Sequence, residues 1–234
     1  MSEDIIHKVM PEFAKDAHMN AERYEAMYRE SIEDTDGFWA RQAEEFVSWF
    51  TPWESVSSWN YHTGDIRWFE GATLNVAYNC IDRHLATRGD QVAIIWESDD
   101  PSVDRKITYR QLHEEVCRFA NVLMDRGVAK GDRVSIYMPM IPQTVVAMLA
   151  CARIGAVHSV VFGGFAPAEL SARIDDAHPT IIVTASCGIE PTRIVEYKPL
   201  VDAAIEMSSH KPERVVVFQR PQARSEEHTS ELQS

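Results

Sequence analysis

From residue 90 onward, short apolar runs alternate with stretches of helical period, and this alternation constrains the fold more than any other feature. The runs are Gln91–Trp96 (QVAIIW), Arg133–Met138 (RVSIYM), Ala156–Phe162 (AVHSVVF), Thr180–Thr184 and Arg214–Phe218 (RVVVF). They are continuously apolar, as strands are when both faces of a sheet are covered. Strand–helix alternation repeats four times. Short right-handed crossovers then give an α/β fold with a doubly wound, mostly parallel sheet. Ligands on such sheets sit at the carboxyl ends of the strands. Those ends are Met138-Pro139-Met140, Phe162-Gly163-Gly164-Phe165 and Ala185-Ser186-Cys187-Gly188.

The intervening helices carry their own start and stop signals. Thr108 with Gln111 three residues on is a capping-box pattern. Leu112, Val116, Phe119, Ala120 and Leu123 form an apolar face, and Gly127 is a natural residue to end that helix. Pro142 opens a helix through Val145, Met148, Leu149 and Ala152 that ends at Gly155. Arg153 stands at its C-terminus, where a cation favours the helix dipole. Pro167 opens another to Ala177, with Arg173, Asp175 and Asp176 as its solvated face. Pro199–Met207 reads as the last helix.

The chain changes character near residue 85. Residues 1–22 read as a polar extension, 23–85 as an aromatic-rich, largely helical N-terminal region, and 86–223 as the α/β domain. Asp36 is a candidate cap for a helix through Phe38, Trp39, Gln42, Phe46 and Trp49, which Thr51-Pro52 ends. A further helix starts at Thr73 or Asn75 and runs to Ala86. The aromatics of this region read as packing against a larger body. A base-stacking surface would need interleaved Lys and Arg, and Glu44, Glu45, Glu54 and Glu70 supply the opposite sign.

Charge and cysteine usage exclude several classes. The net charge of −13 disfavours nucleic acid as a whole-surface partner. No apolar run approaches the roughly 20 residues that span a bilayer, and Met1 to Asn20 lacks the basic and apolar regions of a signal peptide. Cys80, Cys117, Cys151 and Cys187 are isolated, with no CxxC or HExxH spacing, so no metal site is expected. Cys117 and Cys151 read as buried thiols of a protein in the reducing cytoplasm. Oligomeric state is open.

The sequence holds no GxxxxGK[ST] loop, no GxGxxG after a strand, no GxSxG elbow and no zinc-deaminase spacing. Gly163-Gly164 after the strand ending at Phe162 is the best positive feature. Two glycines allow close backbone approach to a phosphorylated ligand and permit positive φ, and the following helix presents free N–H groups. A plain tight turn fits the same spacing. His158, mid-strand, reads as a buried, hydrogen-bonded histidine. Arg193 and Lys198 lie in an irregular stretch beyond a strand end, a place to meet an anion, and a plain surface role fits them equally.

The strings YEAMYRESIEDTDGFW (Tyr24–Trp39), TLNVAYNCIDRHL (Thr73–Leu85), AIIWE (Ala93–Glu97), GDRVSIYMP (Gly131–Pro139) and YMPMIPQTVVAMLACARIGAVHSVVFGGFAPAELSARIDDA (Tyr137–Ala177) carry a resemblance. Over residues 20–221 the chain resembles the N-terminal third of the AMP-forming acetyl-CoA synthetases, of the acyl-adenylate-forming family. The resemblance implies two steps. Acetate attacks the α-phosphate of ATP with Mg²⁺ assistance, giving acetyl-AMP and pyrophosphate; the thiol of CoA then takes the acetyl group and releases AMP. In that family the TSGSTGKPKG-like phosphate loop, the acyl pocket and the lysine-bearing C-terminal domain follow later in the chain. The resemblance therefore implies no catalytic residue and no metal ligand in this segment.

What it implies here is part of the CoA site, at Phe162, Gly163, Gly164 and Arg193. The family's R-x-G-R stretch aligns on Glu190-Pro191-Thr192-Arg193, so only the final arginine matches, and a carboxylate at Glu190 repels phosphate. GIEPTR also resembles propionate-preferring relatives, which leaves acetate and propionate both open. Ala166 replaces a serine usual in the family and removes an N-cap. Residues 224–234 (RSEEHTSELQS) resemble the in-frame translation of a sequencing-library adapter and read as a non-biological tail. The rival readings are a stand-alone, non-catalytic CoA- or nucleotide-binding module and an assembly module using the aromatic region.

Overall fold

The computed structural model describes residues 8–98, 100, 102–164, 166–190 and 192–225. Residues 1–7 of the polar extension, Phe165 of the glycine turn, Pro191 and residues 226–234 of the proposed tail lie outside the described residues. Two compact units divide between Thr73 and Leu74.

The first unit contains α1 (Pro11–Asp16), α2 (Ala21–Glu33), α3 (Thr35–Phe46) and an antiparallel hairpin, β1 (Ser55–Asn60) with β2 (Asp65–Glu70). Asp34, not Asp36, caps α3, its side chain accepting the Gly37 N–H at 3.2 Å. Asp36 lies two residues past the capping position, inside the helix, and accepts the Ser57 hydroxyl instead, at 2.5 Å. The aromatics were expected to pack against a larger body. Within this unit they pack on one another: Trp49, Trp53 and Phe69 meet pairwise at 5.2–5.3 Å between ring centroids.

The second unit opens with α4 (Val76–Cys80), a 3₁₀ turn (Asp82–His84) and α5 (Leu85–Arg88). The sequence predicts one helix here, but the backbone breaks at Ile81. Ile81 is fully buried in the core. The hairpin of β3 (Val92–Glu97) and β4 (Asp104–Thr108) follows. Then come α6 (Tyr109–Asp125), β5 (Arg133–Met138), α7 (Pro142–Ile154), β6 (Val157–Phe162), α8 (Pro167–Ala177) and β7 (Ile181–Ala185). A second hairpin, β8 (Cys187–Glu190) and β9 (Arg193–Glu196), leads into α9 (Tyr197–Met207) and β10 (Arg214–Phe218).

The central sheet is parallel throughout, in the order β10-β7-β5-β6. The run at Gln91–Trp96 is not part of it. Only a short loop separates β3 from β4, which permits antiparallel pairing and leaves no room for a crossover helix. Strand period two sorts the core onto two faces. Val134, Ile136 and Met138 of β5 and Ile181, Val183 and Ala185 of β7 join the core that α6 and α7 cover. Tyr137 and Ile182 join the core of α8 and α9. Both faces being covered explains the continuous apolar runs.

Capping follows the sequence signals. Thr108 and Gln111 exchange the two capping-box hydrogen bonds, at 3.3 and 3.0 Å. Gly155 ends α7 at φ 75°, a conformation L side chains rarely adopt. Ala166 gives α8 no side-chain cap. Arg153 was read as a dipole partner. It reaches further, to the Asp82 carboxylate at 2.5 and 3.2 Å. Among the described residues no helix is long and apolar enough to cross a membrane.

Asn75 ties α4 to α7. Its Oδ1 accepts the Tyr78 N–H at 3.1 Å, and its Nδ2 donates to the Ala152 and Arg153 carbonyls, both at 3.0 Å. Both belong to the last turn, whose carbonyls lack the regular intrahelical donor; the Ala152 carbonyl also accepts the Gly155 N–H at 3.3 Å. Asn75→Ala removes one cap and two C-terminal donors, so we expect a loss of about 1–2 kcal/mol in urea unfolding. Asn75→Asp keeps only the cap and should lose less. Equal stability of the alanine variant and the parent would refute this role.

Candidate functional site

Connections from neighbouring strands β5 and β7 leave in opposite directions. β5 runs through α7 to β6, and β7 runs through α9 to β10. Helices α7 and α9 pack on opposite faces. The crevice beyond the carboxyl ends of β5 and β7 is therefore the switch point where doubly wound sheets take their ligands. A cleft of about 390 Å³ lies there. Met138-Pro139-Met140, Phe162-Gly163-Gly164, Ile189-Glu190, Tyr197 and Arg220 are among its lining residues. Of two other depressions in this unit, one of about 420 Å³ lies at the start of α9 and reaches Ser186 past the end of β7, and one of about 510 Å³ lies at the C-terminus of α7.

Hydrogen bonds hold the rim. Trp96 Nε1 donates to the Met140 carbonyl at 2.8 Å and fixes the β3 hairpin over the β5–α7 loop. Thr144 Oγ1 donates to the Pro139 carbonyl at 2.7 Å. Ser186 Oγ accepts the Arg220 N–H at 2.8 Å and ties the end of β10 to the end of β7.

Phe162 ends the edge strand β6 with 69 % of its surface exposed. Neither Gly163 nor Gly164 adopts positive φ, so left-handed freedom is not why they are glycines. Space is the reason. A Cβ at Gly163 would lie 2.5 Å from the Tyr197 hydroxyl and 3.0 Å from the Met138 carbonyl oxygen. A Cβ at Gly164 would lie 2.7 Å from the Phe162 ring, and one at Gly188 would lie 2.8 Å from the Tyr197 ring. Tyr197 is thus seated between two bare backbone segments.

The stretch carrying Arg193 and Lys198 is ordered, contrary to the sequence expectation. It is the β8–β9 hairpin and the first turn of α9, whose helix begins at Tyr197 and not at Pro199. Arg193 does not line the cleft. Its Nε donates to Glu190 Oε2 at 2.8 Å, and that carboxylate holds the guanidinium more firmly protonated. Lys198 Nζ donates to both Asp202 oxygens at 2.7 Å. The structure therefore brings Phe162, Gly163 and Gly164 into one cleft and places Arg193 outside it, while its partner Glu190 stands on the wall. His158 is half-buried on edge strand β6 and lines the depression at the end of α7, remote from the cleft. It is less buried than expected because no strand covers that edge among the described residues.

Sequence reasoning missed Tyr197 and Arg220. The signal for Arg220 was available: a cation two residues past the end of an apolar strand. Burial pushes the Tyr137 phenol up to about 12, helped by the neighbouring Tyr197 ring 5.1 Å away between centroids. Burial, and then the Glu190 charge, also raise Tyr197. Both phenols keep their protons at neutral pH. Burial likewise pushes the Cys151 thiol up to about 12, which makes it inert. Cys117 is half-buried and Cys80 exposed, so of the two thiols read as buried only Cys151 is so. Cys117 stands toward the rim of α6, where its Sγ lies 3.5 Å from His113 Nε2.

Two family models match the chain. "AMP-binding enzyme" covers residues 81–234, and "Acetyl-coenzyme A synthetase N-terminus" covers residues 24–80. An acetyl-coenzyme A synthetase of Halorhodospira halophila is 55 % identical over 206 residues, 88 % of this chain and 32 % of the relative. One from Saccharophagus degradans is 54 % identical over 222 residues, 94 % of this chain and 34 % of the relative. Acetyl-coenzyme A synthetase 2 of Pseudomonas aeruginosa is 51 % identical over 222 residues, 95 % and 34 % respectively. The chain spans about a third of the length of these curated relatives.

Proposed function

The chain belongs to the AMP-binding enzyme family, and from that premise we propose that it supplies the N-terminal part of an AMP-forming acetate–CoA ligase. The whole enzyme joins acetate to CoA in two steps, through acetyl-AMP, with ATP and Mg²⁺ as co-reactants. This segment contributes part of the CoA nucleotide site. Phe162 offers an exposed ring for the base, and the Gly163-Gly164 backbone offers close approach to the ligand. The observation that carries the reading is the position of these three residues on one cleft at the switch point of the sheet. The fit is chemical as well as positional: aromatic, bare backbone, protonated phenol and cation lie together, as a phosphorylated nucleotide requires. Arg193, tied to Glu190 outside the cleft, is a rim contact in this reading. No residue of this segment is assigned to ATP or Mg²⁺. The compartment is the cytoplasm.

The test is a titration of the chain with CoA, followed by amide chemical shifts. Saturable shifts confined to residues around 162–164 and 186–190 are expected, with weak affinity in the millimolar range. Phe162→Ala should weaken binding about tenfold, the scale of one base–aromatic stack. Shifts absent at saturating CoA, or centred on the depression at the end of α7, would overturn the assignment.

A further inference from the structure

We propose that Arg220 and Tyr197 form a phosphate-holding subsite in this cleft, and that this pair, not Arg193, carries the anionic part of the ligand. The inference rests on the cleft being a nucleotide site. Its own basis is the state of Arg220. Only 7 % of its surface is exposed, yet among the described residues no carboxylate pairs with it. Its Nη1 donates to the Cys187 carbonyl at 3.1 Å, and its backbone N–H donates to Ser186 Oγ. A carbonyl is a neutral acceptor, and a guanidinium carries five N–H donors. A buried charge left without a counter-charge is strongly unfavourable. Glu190, the carboxylate on the same wall, is already engaged by Arg193 at 2.8 Å.

Tyr197 completes the subsite. Its ring is held between Gly163 and Gly188, which fixes the hydroxyl against the glycine turn. No acceptor among the described residues takes that hydroxyl. Arg220 and Tyr197 both line the cleft, and the Arg220 guanidinium holds the carbonyl of Cys187, the residue before the Gly188 that backs the Tyr197 ring. One charged fork and one neutral donor beside bare backbone match the several oxygens of a phosphate. Arg193, by contrast, has 68 % of its side chain exposed and already holds a carboxylate. Screening by water and salt leaves such a group little to offer a ligand. The ligand class is a nucleotide bearing at least one phosphate monoester or diphosphate.

The experiment titrates the 234-residue chain and its variants with adenosine 3′,5′-bisphosphate, AMP and sodium acetate, using amide shifts for affinity and a thermal melt for folding. Arg220→Gln should weaken bisphosphate binding tenfold or more, Tyr197→Phe three- to tenfold, and Arg193→Gln less than twofold. If Arg220→Gln does not fold, Arg220→Lys decides: it keeps the charge but loses the fork, and a loss of at least fivefold is expected. A bisphosphate that binds far more tightly than AMP places a second phosphate at the pair; equal affinities place the 5′-phosphate there. Unchanged affinity in Tyr197→Phe and in the folded Arg220 variants overturns the inference and leaves the nucleotide reading standing. A larger loss in Arg193→Gln than in the Arg220 variants also overturns it. Binding of acetate alone, with no nucleotide bound by the parent chain, overturns both readings.

Discussion

The isolated chain of 234 residues should give no detectable acetate-dependent exchange of pyrophosphate into ATP. Adenylation builds charge on phosphate oxygens, and fixed donors and metal supply most of the stabilisation of that charge. Losing one such donor costs on the order of 10²–10³ in rate. This segment holds no glycine-rich phosphate loop at all. Of the described cations at the strand ends, Arg193 is engaged by Glu190 and Lys198 by Asp202, and Arg220 alone cannot replace a phosphate loop. Losing several electrostatic groups together puts the rate below any assay. Sustained exchange by the purified chain, abolished by no contaminant control, would contradict the division of labour proposed for this segment.

Gly163→Ala should be the most damaging small substitution in the cleft. The added methyl would meet the Tyr197 hydroxyl at 2.5 Å and the Met138 carbonyl oxygen at 3.0 Å. Tyr197 cannot swing aside, because its ring is buried and packed on Tyr137 and Gly188. Overpacking of this kind costs about 1–3 kcal/mol, and the rigid carbonyl puts this case near the upper end. In a Tyr197→Phe background the worse of the two clashes disappears, and the cost should fall to about 1 kcal/mol. The two substitutions are thus expected to be strongly non-additive. Urea unfolding of the four chains of the cycle measures it. Additive losses would mean that Gly163 is required for reasons other than Tyr197.

The parallel sheet was legible because its strands are continuous apolar runs and its helices open on Thr108, Pro142 and Pro167. Each of these signals is local, and the helices from Pro142 and Pro167 end where the sequence places them. The hairpins were less legible. β8–β9 reads CGIEPTRIVE, where Glu190, Pro191 and Arg193 break the apolar pattern, and only the pairing of Glu190 with Arg193 shows why the chain turns there. β1 and β2 are mostly exposed, so no apolar alternation marks them. The site divides the same way. Phe162, Gly163 and Gly164 could be named because they follow a strand. Tyr197 and Arg220 come to the cleft from an α9 start and a β10 end that no local pattern relates to it. Gly163 was noticed for close approach to a ligand and for backbone freedom; the positive φ is not used, and a tyrosine 34 residues away in sequence fills the space a side chain would need.

We have proposed that this chain is the coenzyme-facing N-terminal part of an acetate–CoA ligase. The direct measurement joins residues 1–222 to the portion of the Saccharophagus degradans relative that follows its matching segment, and assays AMP release from ATP with acetate and CoA. A folded chimera should release AMP only when both acetate and CoA are present, and Phe162→Ala should depress the CoA-dependent step more than pyrophosphate exchange. A folded chimera that exchanges pyrophosphate with acetate yet transfers no acetyl group to CoA would contradict the account.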